Sequence, residues 1–184
     1  MPRKPLPLRY YGDPVLRKKA EPVAAVDPGI RDLIADLFET MYRERGIGLA
    51  APQVGISKRV FVVDVEGEEG ERAKLALVNP RMARSTGSVV AEEGCLSIPG
   101  IHEDVKRHAE VTFEALDEKG APLTVRAEGL LARALQHELD HLDGVLFIDR
   151  LSAIRRKLLE PKLARMQADD SERSAPDASA SPSF

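Results

Sequence analysis

The segment from about Glu128 to Asp143 constrains the fold of this chain more than any other. Leu130, Leu131, Ala134, Leu135, Leu139 and Leu142 make it apolar on several sides, and Gly144 stands where a helix would stop. A helix of that kind has to be buried. Yet it carries His137-Glu138-Leu139-Asp140-His141, groups that are costly to bury unless paired or ligated. Positions i and i+4 stack on one helix face, so two imidazoles can hold one metal ion from consecutive turns, with Glu138 beside them. The spacing therefore predicts a central helix with a metal-binding face.

The third ligand decides the class. The run continues to Phe147, which stands where the metzincin pattern needs a third histidine. Glu160 directly precedes Pro161, which disfavours a helical conformation there and makes it a weak thermolysin-type ligand. Cys95, the only cysteine, sits in what reads as a loop, Glu93-Gly94-Cys95-Leu96-Ser97-Ile98-Pro99-Gly100. The residues leave three readings open: a small buried hydrophobe, a nucleophile paired with histidine, or a thiolate completing a Cys-His₂ site with a position open to water. A further element, Gly46-Ile47-Gly48-Leu49-Ala50-Ala51-Pro52-Gln53-Val54-Gly55, lets backbone come close to a neighbour and offers the Gln53 amide. Its glycine spacing fits neither a dinucleotide fingerprint nor a phosphate loop.

Around these motifs the pattern is mixed. Ile30, Leu33, Ile34, Leu37, Phe38, Met41 and Tyr42 recur at helical spacing after an Asp27 N-cap and Pro28, with Gly46 placed to end that helix. Residues 60–65, 74–78 and 87–91 read as strands, and 110–116 with 122–127 as an antiparallel hairpin across a turn too short for a helical crossover. Ser152 can cap a third, basic helix that Pro161 should end or kink. The expected class is α+β: one catalytic domain over 1–166 and, from 167 to 184, a Ser-, Asp- and Pro-rich disordered tail.

Composition narrows the function. A net charge of −3 and a pI near 5.9 argue against DNA or RNA as substrate and against direct DNA binding. One cysteine allows no internal disulfide and suits a reducing compartment. Neither a signal peptide nor an apolar run long enough to span a membrane is expected.

Three motifs in this order, Gly46 to Gln53, Glu93 to Ser97 and Gln136 to His141, resemble the peptide deformylase family, and the likeness runs from about Leu8 to Leu151. The resemblance implies antiparallel sheets packed around a central metal-binding helix. It implies Cys95, His137 and His141 as ligands of one divalent ion per chain, natively ferrous iron and replaceable by zinc, nickel or cobalt. Glu138 is then the general acid/base, and Gln53 with the Leu96 N–H supplies the oxyanion donors. Substrate contacts fall to Ile47, Gly48, Glu93, Leu130 and Ala134. The implied partners are N-formylmethionyl nascent peptides and the ribosome near its exit tunnel, met by a monomer in the bacterial cytoplasm. Ile101-His102-Glu103 departs from the Tyr or Arg often found after the cysteine loop, and His102 and His108 are expected on the solvated surface, away from the metal motifs.

Overall fold

A computed structural model describes residues 5–67 and 70–174. Helix α1 (Pro28–Arg43) begins as its sequence requires, with the Asp27 carboxylate accepting from the Ile30 N–H at 2.8 Å. Its end differs from expectation. The left-handed residue is Arg45, at φ 57°, and the Gly46 N–H closes the turn by donating to the Met41 carbonyl at 2.9 Å. Gly46 is constrained by a neighbour instead, since a β-carbon there would lie 2.8 Å from Leu96 Cδ1.

Seven strands follow: β1 (Gly48–Ala50), β2 (Val60–Glu66), β3 (Arg72–Thr86), β4 (Val89–Cys95), β5 (Ile98–Arg107), β6 (Glu110–Leu116) and β7 (Pro122–Glu128). Strands β1-β2-β3-β6-β7 form one antiparallel sheet in that order, while β4 and β5 pair as a separate hairpin. The hairpin expected across Asp117–Gly120 is β6–β7, with Leu116 opposite Pro122. Strand β5 lay outside the expected strands because Pro99 and Gly100 disguise its start.

Strand β2 shows why the sheet is buried on both faces. Phe61, Val63 and Val65 point to one side, where they meet Ala132, Ala134, Leu135 and Leu142 of helix α2 (Gly129–Leu142). Val60 and Val62 point to the other, against Leu33, Ile34, Leu37 and Met41 of α1. A strand covered twice reads as an unbroken apolar run. Helix α2 thus has one face on the large sheet, and its opposite face turns toward β4–β5. A third cluster, including Ile98, Ile101 and Val105 of β5 with Phe147, Leu159 and Leu163, backs the hairpin. The antiparallel α+β architecture around a central helix is as the sequence leads one to expect.

Helix α3 (Ala153–Ser174) is longer than its sequence suggests. It passes through Pro161 rather than ending there, because Leu159 and Leu163 on either side are both buried in the third cluster. The lost hydrogen bond falls at the exposed Lys157, where water can replace it. The helix also continues as far as Ser174, although a disordered tail was expected from residue 167. Residues 175–184 lie outside the described residues.

Candidate metal centre

His137 and His141 occupy consecutive turns of α2, and their Nε2 atoms lie 3.2 Å apart. Cys95 Sγ stands 3.3 Å from His141 Nε2, and the three ligand atoms all fall within 4.8 Å of one another. Glu160 is exposed on α3, so the carboxylate alternative for third ligand lapses.

Cys95 is not in a loop. It closes β4, and Leu96-Ser97 forms the turn into β5. The ladder jumps there: Gly94 pairs with His102 but Cys95 with Ile98, leaving Pro99, Gly100 and Ile101 in the break. Such a bulge kinks the hairpin at the point where the cysteine must face the helix. The Gln53 side chain ties the second motif to the first. Its Oε1 accepts from the Ala50 N–H at 2.9 Å, and its Nε2 donates to Ser97 Oγ at 3.2 Å and lies 3.6 Å from Cys95 Sγ.

Behind the ligands lies a buried ionic cluster. Glu93 Oε2 is 3.0 Å from His137 Nδ1, which fixes the ring so that Nε2 faces the cysteine. Arg107 donates to both Glu93 oxygens at 2.8 and 2.9 Å, and Arg133 adds a bond at 2.7 Å. Arg107 also donates to Asp140 at 2.6 Å, and Arg150 grips the same carboxylate with two bonds. Burial would raise the Glu93 carboxyl, but hydrogen bonds from Arg107 and His137 outweigh it and hold it down at about 2. Glu138 goes the other way: burial pushes its carboxyl up to about 7. The imidazoles diverge too. His137 is lowered by burial but raised further by Cys95 and Glu93, ending above the ordinary range, whereas burial and His137 hold His141 below it.

A divalent metal fits these residues. A thiol and two imidazole nitrogens converge, a donor set suited to zinc, iron, nickel or cobalt. Glu138 Oε2 is buried with no hydrogen-bond partner among the described residues, as a carboxylate aimed at a water in the site would be.

A cavity of about 410 Å³ opens beside the centre, between β4 and α2. Ile47, Gly48, Glu93, Leu130 and Ala134 all line it, together with Gln53, Cys95, Leu96, His137 and Glu138. Glu93 is 6 % exposed and its carboxylate is already held by Arg107, Arg133 and His137, so it shapes the wall rather than offering a free group. His102 is corrected: though exposed, it lines this cavity by lying over Gly94, where a β-carbon would come within 2.7 Å of its ring. His108 is exposed as expected. Sequence reasoning passed over Ser97, Arg107, Arg133 and Asp140. Arg133 and Asp140 were findable, as charges one turn from the histidines on a buried helix; nothing local marked Arg107.

An α+β fold whose buried helix presents two histidines and a glutamate to a cysteine from a separate hairpin defines a metal-dependent hydrolase. The model of the Polypeptide deformylase family matches residues 5–157. A peptide deformylase of Alkalilimnicola ehrlichii is 51 % identical over 161 residues, covering 88 % of this chain and 90 % of the relative. The crystal structure of a peptide deformylase from Legionella pneumophila superposes with a TM-score of 0.81 at 43 % identity, covering 94 % of this chain and all of that one. One from Synechococcus elongatus, solved in complex with actinonin, gives a TM-score of 0.80 at 45 % identity over 88 % of this chain and 90 % of that one. The chain belongs to the polypeptide deformylase family, metal-dependent hydrolases that remove the N-terminal formyl group of newly made polypeptides.

Proposed function

We propose that this chain releases formate from N-formylmethionyl peptides with Cys95, His137 and His141 holding ferrous iron, Glu138 moving the proton, and Gln53 with the Leu96 N–H receiving the oxyanion. The convergence of the three ligand atoms within 4.8 Å, with the unpartnered Glu138 oxygen beside them, is the observation that carries the reading. When bound, the metal supplies Lewis acidity toward water and the formyl oxygen. Glu138 takes a proton from the attacking water and delivers it to the departing amine nitrogen, a role suited to a carboxyl near neutrality. Gln53 is held by Ala50 and Ser97 with its Nε2 3.6 Å from Cys95 Sγ, which sets an amide N–H donor beside the ligands, where the oxyanion would form.

Ile47, Leu130 and Ala134 receive the methionine side chain, and Gly48 and the β4 wall the peptide backbone. A formyl carbon carries only hydrogen and can enter between Gly46–Gly48 and Cys95-Leu96; an acetyl methyl would have to displace backbone. On this reading the enzyme is a monomer of the bacterial cytoplasm that meets nascent chains near the ribosomal exit. A net charge of −3 supports the absence of DNA binding, and no described helix is long and apolar enough to cross a membrane.

The test is formate release by purified protein alongside metal analysis. Formyl-Met peptides should be cleaved and acetyl-Met peptides and casein left nearly untouched; equal rates on all three would replace this reading with a metallopeptidase. The iron form should lose activity in air while the nickel form keeps it.

A further inference from the structure

Arg133 is a charged side chain, 7 % exposed, on a helix otherwise read as apolar, and the reaction as described gives it no task. It precedes His137 by one turn. Its guanidinium crosses from α2 to the β4–β5 hairpin, donating to the carbonyls of Val89 at 3.1 Å and Ala91 at 3.3 Å on β4 and of Val105 at 2.9 Å on β5. Ala91 and Val105 are direct partners across that ladder, so one side chain grips both strands at the same rung. Nη1, the nitrogen that faces the Ala91 and Val105 carbonyls, also reaches Glu93 Oε1. The cavity has Glu92 to Cys95 of β4 and Leu96 of the turn on one side and Leu130, Arg133, Ala134, His137 and Glu138 of α2 on the other. Arg133 thus spans from one wall to the other, and unlike the His137–Glu93 and Asp140–Arg107 contacts it reaches the backbone of both strands.

We infer that Arg133 is a positioning residue that sets the width of the substrate cavity, holding the hairpin at a fixed distance from the helix that bears His137. The planar fork of arginine suits this, because several donors leave one rigid group and the carbonyls that receive them lie on two strands. Metal retention does not depend on it. Arg107 alone still donates to both oxygens of Glu93, and Glu93 still orients His137. Arg133 therefore acts on how a peptide and its first side chain are seated, and Arg107 on the ligand set.

The inference rests on the proposed deformylase activity, and the wild-type protein is the control for that: failure of the wild type to release formate would overturn the activity and not the role of Arg133. The experiment compares metal-loaded wild type, Arg133→Leu and Arg133→Lys on formyl-Met and formyl-Phe peptides, with metal per chain measured in each. Both variants should keep wild-type metal. KM for formyl-Met should rise about tenfold and the preference for Met over the bulkier Phe should fall about tenfold, the scale on which a hydrophobic pocket separates side chains. Unchanged KM and selectivity would overturn the inference, and so would loss of metal in step with activity. If Arg133→Leu does not fold, Arg133→Lys decides by the same readouts, because it keeps the charge near Glu93 and loses the fork across the two strands.

Discussion

Gly48 and Glu138 claim the same space: a β-carbon on Gly48 would lie 2.4 Å from Glu138 Oε1 and 2.9 Å from its carboxyl carbon. The first glycine-rich motif and the helix that carries His137 and His141, far apart in sequence, are fitted to each other at Glu138, the group proposed to move the proton. Gly48→Ala should push the Glu138 carboxylate aside and lower kcat by about 10² to 10⁴, the range for losing a general acid/base. Metal content should stay at the wild-type level. Wild-type kcat in this variant would show that Glu138 has room to spare.

Cys95→Ser and Glu138→Gln should fail in different ways. A neutral hydroxyl is a far poorer ligand than a thiolate, so Cys95→Ser should lose bound metal. Glu138→Gln should keep its metal and lose about 10² to 10⁴ in rate. Elemental analysis of the two purified variants separates the cases, and full metal in an active Cys95→Ser would remove the cysteine from the ligand set.

Gln53→Ala tests the oxyanion donor. Its kcat should fall by about 10² to 10³. The variant also strands the Ala50 N–H, which now donates to Gln53 Oε1, at a stability cost of about 1 to 3 kcal/mol. Thermal unfolding and steady-state kinetics on one preparation measure both.

Asp149 links the first turn of the chain to the segment after α2, accepting from Arg17 and from the Leu146 N–H at 2.9 Å. Burial raises its carboxyl, but the Arg17 and Leu146 bonds and the charges of Arg17 and Arg156 outweigh this and hold it below the usual range. A depressed folded-state pKa adds stability above the unfolded value of about 4 and loses it as pH falls through the folded value. Asp149→Asn should therefore lower the urea midpoint at pH 7, with the gap to wild type closing as pH drops below 4. A gap that stays constant between pH 7 and 3 would locate the effect in packing.

Leu163 anchors α3 beyond Pro161, and Leu163→Ala should cost about 2 to 5 kcal/mol, the range for emptying a core site. Removing 167–184 spares Leu159, Leu163 and Met166 and should leave activity unchanged and Tm nearly so. A fall of several degrees would show that the last turns of α3 dock.

The sequence by itself determined what repeats locally. The 3.6-residue period placed α1 and α2, the four-residue spacing put His137 and His141 on one face, and the β-branched run at 60–65 marked a buried strand. Tertiary structure decided the rest. Whether Cys95 stood beside the histidines depended on a bulge between Gly94 and Cys95 that brings Sγ to His141, across 46 residues of chain. His102 reached the cavity only because Gly94, its partner across the ladder, has no side chain to block it. Pro161 failed to end α3 because burial of Leu159 and Leu163 outweighed one lost hydrogen bond. Arg107 carried no local signal, and it was the fold that set Glu93 between it and Arg133, because a buried charge is tolerable only with partners that tertiary structure supplies.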